Sequence, residues 1–134
     1  MKYLLDTNTC IRYLNGRSLQ IRTKLPTIPL QDVGVSIITK AEMYYGSAKS
    51  QTPERSREKQ VEFLKTTQTV LFDERSALIY GDIRAHLDKQ GTPIGSNDLL
   101  IASISLAYDL ILVTHNTREF NRVPNLKLED WEVT

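Results

Sequence analysis

The strongest constraint on the fold is a set of short apolar runs that alternate with helical patterns along the 134 residues. Residues 3–5, 33–37 and 110–114 are apolar and free of charge, as strands buried on both faces are. Segments with helical spacing separate these runs. This alternation predicts right-handed crossovers and a parallel sheet covered by helices on both faces, which is an α/β fold.

Start and stop residues indicate where the helices begin and end. Gly16 and Gly91 are placed to end helices, Asp73 to cap one, and Thr52-Pro53 to begin another. The predicted helices span residues 7–15, 18–25, 38–48, 53–68, 74–90 and 97–108, and two further strands are predicted at 70–72 and 126–131. The chain shows no repeat and no low-complexity tract, so we expect a single domain over residues 1–134.

Composition excludes several classes of protein. Cys10 is the only cysteine, so no internal disulfide can form. The first residues reach Asp6 after three apolar side chains, which is too short a run for a signal peptide or a membrane span. We therefore expect a cytoplasmic protein without a membrane partner. Residues 1–60 carry ten lysines and arginines against five acids, an excess that an uneven solvated surface also explains.

Four polar residues stand at the predicted strand ends or in the early turns of helices. Asp6 and Asn116 follow strands, whereas Glu42 and Asp98 lie on helices. Ligands of open parallel sheets bind at the carboxyl ends of the strands, so these side chains are expected to meet there. Each also has a structural explanation: Asp6 and Asp98 suit helix N-termini, Glu42 can pair with a base, and Asn116 suits a turn.

Carboxylates gathered without bases repel one another, and a shared cation would relieve the repulsion. Oxygen ligands favour Mg²⁺ or Mn²⁺, and Cys10, His86 and His115 lack the spacing of a zinc site. A divalent cation can activate water, so hydrolysis of a phosphodiester is the predicted chemistry. Two other functions stay open: a Mg²⁺-dependent phosphatase or phospho-receiver that uses Asp6, and a non-catalytic protein-binding module.

Several segments carry a resemblance to a known family. They read Leu-Leu-Asp-Thr-Asn-Thr-Cys-Ile at 4–11, Ser-Ile-Ile-Thr-Lys-Ala-Glu-Met-Tyr-Tyr-Gly at 36–46, Gly-Thr-Pro-Ile-Gly-Ser-Asn-Asp-Leu-Leu-Ile-Ala at 91–102, Val-Thr-His-Asn-Thr-Arg-Glu-Phe at 113–120 and Leu-Glu-Asp-Trp at 128–131. In this order and spacing they resemble PIN-domain ribonucleases, and most closely the VapC-type toxins of bacterial toxin–antitoxin pairs. The resemblance covers nearly the whole chain.

The resemblance implies a PIN-like three-layer α/β/α sandwich with a central, mainly parallel five-stranded sheet. It implies a Mg²⁺- or Mn²⁺-dependent endoribonuclease that forms a homodimer, cuts RNA (transfer RNA being one candidate) and is neutralised by a cognate antitoxin. Asp6, Glu42 and Asp98 fall on the metal-binding carboxylates of the family, and Asn116 falls where many relatives carry a fourth acid. Thr7 and Thr114 fall on hydroxyls that support the site.

A few other residues are candidates for contacts with RNA. Arg84 and Lys49 could bind phosphates. A solvated charge on a helix explains Arg84 at least as well, and it is the favoured explanation of Lys49. Tyr44 and Tyr45 could stack on bases. Tyr45 is predicted to lie in the core instead, whereas Tyr44 could equally contact a second subunit or the antitoxin.

Overall fold

The structure is a computed structural model in which residues 1–133 are described. Its strands are β1 (Tyr3–Leu5), β2 (Val33–Ser36), β3 (Gln68–Val70), β4 (Ile111–Val113) and β5 (Lys127–Glu129). Its helices are α1 (Thr7–Asn15), α2 (Leu19–Lys24), α3 (Ile37–Ala48), α4 (Pro53–Leu64), α5 (Glu74–Gln90), α6 (Ser96–Ala107) and α7 (Thr117–Phe120). Within residues 1–133, no helix is long and apolar enough to cross a membrane.

The five strands form one sheet in the order β3-β2-β1-β4-β5, and every neighbouring pair is parallel. Tyr3 pairs with Val33 on one side and with Ile111 on the other. The chain thus builds outward from β1 in both directions, first through β2 and β3, then through β4 and β5. The strand order reverses beside β1, and the ligand crevice of such a sheet lies at the carboxyl ends of the strands at that point.

Helices cover both faces of the sheet, because successive strand residues point to opposite sides. Leu4 and Leu112 pack against residues of α5, α6 and α7, among them Ile101. Tyr3, Leu5 and Val35 pack instead with residues of α1 to α4. The predicted three-layer α/β/α sandwich is confirmed, and the sheet is parallel throughout.

Most predicted helix ends are confirmed at the level of single hydrogen bonds. The side chain of Asp73 accepts a hydrogen bond from the backbone N–H of Ser76 and so caps α5. Gly16 and Gly91 follow α1 and α5 in the left-handed conformation, with φ of 74° and 69°. These signals are local, which explains why sequence alone located them.

The end of α4 and the position of β3 were predicted wrongly. The helix ends at Leu64 rather than at residue 68, and the strand spans Gln68–Val70 rather than 70–72. Thr66 and Thr67 donate both backbone and hydroxyl hydrogens to the carbonyls of Phe63 and Leu64, which closes the helix early. At the other end of α4, the hydroxyl of Thr52 contacts Ser56 and caps no backbone amide.

Candidate active site and metal centre

Asp6 lies in the crevice where the strand order reverses. It follows β1 directly, and its backbone N–H donates to the carbonyl of Val113 at the end of β4, with N···O 3.0 Å. The residue is only 4% exposed. The sheet therefore holds a carboxylate between the ends of its two central strands, at the depth of the core.

The predicted capping role of Asp6 is correct but does not account for its surroundings. Its Oδ1 accepts from the backbone N–H of Thr9 at 2.8 Å, and the hydroxyl of Thr114 also bonds its carboxylate. Burial nevertheless raises the pKa of Asp6, and the charge of Glu42 adds to the rise. A residue that only capped a helix would not need a second carboxylate nearby. The proximity of Glu42 therefore indicates that Asp6 belongs to a group of acids.

Glu42 reaches the crevice from α3 and is held there by uncharged donors. The hydroxyl of Thr7 donates to its Oε1 at 2.5 Å, and Nδ2 of Asn97 donates to its Oε2 at 3.3 Å. Among the described residues, no lysine or arginine forms a salt bridge with Glu42. The alternative explanation of Glu42, an ion pair with a lysine or arginine, is therefore wrong for the described residues.

Asp98, in the first turn of α6, reports most directly on the charge of the crevice. Burial, followed by the charges of Glu119, Asp6 and Glu42 in that order, raises the pKa of Asp98 to about 6. An acid in the first turn of a helix ordinarily has its charged form stabilised by the helix dipole. The pKa of Asp98 shifts in the opposite direction, so burial and the three other carboxylates together outweigh that effect.

Glu119, on α7, is the fourth carboxylate of the crevice, and sequence reasoning missed it. Its Oε1 accepts from the backbone N–H of Gly95 at 2.8 Å, and its Oε2 accepts from Nδ2 of Asn116 at 3.2 Å. A Cβ atom added to Gly95 would lie 3.7 Å from Oδ2 of Asp98 and 3.8 Å from Oε1 of Glu119, so both acids flank this glycine. The available signal was that Glu119 is the only acid between Asp109 and Glu129.

Asn116 is placed beside this fourth acid rather than as a substitute for it. Its side-chain amide contacts Glu119, and its backbone N–H donates to the hydroxyl of Thr114 at 3.0 Å. Thr114 in turn bonds Asp6, as Thr7 bonds Glu42. The two threonines are thus placed to hold the acids, and the supporting role predicted for them stays a prediction.

The remaining candidates lie outside the acid cluster. Lys49 lies with its Nζ 4.6 Å from the ring centroid of Tyr45, and both line a groove of about 530 Å³ that reaches Glu42. Arg84 is exposed on α5, where it donates to the hydroxyl of Tyr80. The prediction that Tyr45 lies in the core is wrong: it is 66% exposed, whereas Tyr44, one residue earlier and on another side of α3, packs against the core formed with α1 to α4.

The arrangement fits a divalent cation bound by oxygen ligands. Four carboxylates from four separate elements share one crevice: Asp6, Glu42, Asp98 and Glu119. Within residues 1–133, no basic side chain forms a salt bridge with any of them. Such a donor set suits Mg²⁺ or Mn²⁺ better than zinc.

The raised pKa of Asp98 predicts how the metal-free protein responds to pH. The unfolded chain ionises Asp98 near pH 4 and the folded chain near pH 6, so the folded protein loses stability as the pH rises through that interval. Because Asp98 is half-buried and screened by water, we expect a loss of about 1 kcal/mol. The measurement compares the melting temperatures of Asp98→Asn and the wild type in EDTA. The difference, variant minus wild type, should increase from pH 4 to 6 and then stay constant.

The same comparison has an internal control. Mn²⁺ added at pH 7.5 should raise the melting temperature of the wild type and have little effect on Asp98→Asn, because the variant lacks one ligand. A difference between the two melting temperatures that did not change with pH would show that the pKa of Asp98 is not raised in the folded protein.

Comparisons with known proteins agree with this fold. The PIN domain family matches residues 3–126. The chain is 38% identical to ribonuclease VapC2 of Rickettsia felis over 98% of its own length and 99% of the relative's. It is 37% identical to the tRNA(fMet)-specific endonuclease VapC of Salmonella typhimurium over 98% of both chains.

Solved structures lead to the same family. The toxin–antitoxin complex VapBC2 of Rickettsia felis, bound to a DNA fragment from their promoter, contains a chain that superposes with a TM-score of 0.92 at 37% identity. That match covers 98% of this chain and 99% of the other. A chain of DNA-bound VapBC from Salmonella typhimurium gives a TM-score of 0.93 at 37% identity, with 98% of each chain covered. This protein therefore belongs to the PIN-domain family and, within it, to the VapC ribonuclease toxins of VapBC toxin–antitoxin systems.

Proposed function

We propose that Asp6, Glu42 and Asp98, with Glu119 beside them, bind the divalent metal ion with which this ribonuclease cuts RNA, and that the ion is Mg²⁺ or Mn²⁺. The observation that carries the proposal is that these carboxylates, from separate elements, lie together without a salt bridge to any basic side chain among the described residues. The pKa of Asp98 agrees with this arrangement, because burial and then the charges of Glu119, Asp6 and Glu42 raise it. Such a cluster is costly for the folded chain unless a cation neutralises it. VapC nucleases of this family are metal-dependent, which supports the same assignment.

A divalent cation bound there would supply the activation of a water molecule and the stabilisation of charge on the leaving oxygen. The protein's own contribution is to hold the ligands in place. Thr9 and Thr114 fix Asp6, and Thr7 and Asn97 fix Glu42, so these carboxylates need little reorganisation when charge develops. Within residues 1–133, no group donates a hydrogen bond to the carboxylate of Asp98, which makes it the ligand that depends most on the cation.

Use of Asp6 as a phosphorylated nucleophile finds no support in this geometry. The side chain is buried, caps α1 through Oδ1 and bonds Thr114, whereas a nucleophile must be open to its substrate. The four carboxylates form one group, and the family is that of ribonucleases, so we assign Asp6 to the metal.

The substrate we propose is initiator transfer RNA. The support comes from relatives named tRNA(fMet)-specific endonuclease VapC, from Salmonella typhimurium and Shigella flexneri, both 37% identical to this chain. We also propose that the protein forms a homodimer and is inhibited by a cognate antitoxin, since the similar chains of known structure are found in VapBC complexes.

The test is cleavage of purified initiator transfer RNA, with elongator methionine transfer RNA as the matched control. Mg²⁺ or Mn²⁺ should yield discrete fragments of the initiator RNA alone, EDTA should prevent cleavage, and the cognate antitoxin should abolish it. Equal cleavage of both RNAs would contradict the proposed substrate. Cleavage that persists in EDTA would contradict the metal.

A further inference from the structure

A second groove, of about 450 Å³, opens beside the acid cluster along the exposed side of α1. We call it the basic groove; apart from Ile11, its lining consists of the side chains of Asn8, Arg12, Asn15, Arg17, His115 and Asn116. It contains basic and amide side chains and no carboxylate. This lining contrasts with that of the groove beside Tyr45, which includes Glu42.

The basic groove is continuous with the active site. Asn116 lines it and contacts Glu119 of the acid cluster. Asn8 and Ile11 line both the basic groove and the groove that reaches Glu42. A strand of RNA whose scissile phosphate lies at the acids therefore has the basic groove on one side of that phosphate.

Two partly buried carboxylates near the C-terminus contact basic side chains that line this groove. Oε1 of Glu132 accepts from Nε of Arg12 at 2.7 Å, and Oδ2 of Asp130 lies 2.9 Å from Nδ1 of His115. The carboxylate side chains are only 9% and 12% exposed, whereas Arg12 is 41% and His115 65% exposed. The acids are thus largely hidden, whereas Arg12 and His115, which line the groove, are the exposed members of the two pairs.

Arg17 is a cation without a structural partner. It lies just after α1, is exposed, and its guanidinium forms no hydrogen bond or salt bridge with any residue in the described part of the chain. Arg17 is not needed to neutralise the carboxyl end of α1, because Nε of Arg22 already donates a hydrogen bond to the carbonyl of Tyr13 there. The charge of Arg17 is therefore free to contact a ligand from outside the chain.

We propose that the basic groove binds backbone phosphates of the RNA on one side of the cleaved bond, through Arg12 and Arg17. The planar guanidinium is suited to phosphate oxygens, and the amides of Asn8 and Asn15 can bond sugar or base edges. Glu132 is a positioning residue that acts through Arg12. This assignment rests on the proposed function, since it names how the same site holds its RNA.

The test measures RNA binding without cleavage, in EDTA, with fluorescein-labelled bulk transfer RNA as the probe. Arg17→Gln and Arg12→Gln should each weaken binding about three- to tenfold and reduce the slope of log K against log salt by about 0.7 to 0.9, the loss of one phosphate contact. The matched control is Arg75→Gln, an exposed arginine near Tyr108 at the opposite end of α6 from Asp98. Arg75→Gln should change neither the affinity for RNA nor the slope of log K against log salt.

Glu132→Gln tests the positioning role. It should weaken binding, and the double variant with Arg12→Gln should bind no more weakly than Arg12→Gln alone, because both changes remove one interaction. Additive effects would show that Glu132 does not act through Arg12.

Cleavage assays separate this inference from the proposed substrate. In Mg²⁺, Arg17→Gln should raise KM and leave kcat close to that of the wild type. Unchanged affinity and salt slope in Arg17→Gln would overturn the inference, even if the wild type cuts initiator transfer RNA. Weaker binding of the antitoxin with unchanged binding of RNA would overturn it as well.

Discussion

Asp6→Asn is expected to lower the rate of RNA cleavage by about a thousandfold or more without destabilising the metal-free protein. The amide keeps the shape of the side chain and still caps α1 through the N–H of Thr9, since asparagine caps as well as aspartate. It removes a charge that burial and Glu42 make unfavourable. Catalysis should suffer because the amide is a poor ligand for a hard divalent cation.

Asp73→Asn provides the matched control for this variant. Asp73 caps α5 through the N–H of Ser76, just as Asp6 caps α1, but it lies outside the acid cluster. Its substitution should leave the cleavage rate unchanged. The measurements are single-turnover cleavage in Mg²⁺ and thermal melting in EDTA. A large loss of stability in Asp6→Asn together with near-normal cleavage would mean that Asp6 serves folding alone, as a protein-binding module would use it.

Leu112→Ala is expected to lower the free energy of unfolding by about 3 kcal/mol, within the range of buried leucine truncations. Leu112 is fully buried on β4 and packs with Leu4, Ile101 and Phe120. The cavity would open beneath the strand pair that carries Asp6 and Thr114. Because domains are stable by only about 5–15 kcal/mol, the loss should be a large fraction of the total.

Leu78→Ala is the control for the core substitution, because Leu78 lies on α5 and is 71% exposed. We expect a change below about 0.5 kcal/mol. Urea denaturation followed by circular dichroism measures both variants. Equal losses would show that the apolar face of the sheet contributes less to stability than its burial indicates.

Sequence reasoning found three of the four carboxylates because each has a local signature. Asp6 follows a buried strand, Asp98 opens an apolar helix, and Glu42 lies at the edge of an apolar helical face. The same reasoning selected Asn116 instead of Glu119, because the motif aligned Asn116 with an acid. The motif did not indicate the direction of the Glu119 side chain, one turn later. In the fold, α7 turns Glu119 toward Gly95 and Asp98, which no local pattern encodes.

The amino-acid sequence by itself determined the alternation of strands and helices, the caps of α1 and α5, the parallel sheet and most of the acid cluster. These features follow from hydrophobic period and from hydrogen bonds between residues a few positions apart. Only the tertiary structure decided which charges meet: Glu119 with Asp98, and Arg12 with Glu132, 120 residues further along the chain. Such encounters depend on strand order and helix packing, because electrostatic interactions follow distances in space and not positions along the chain.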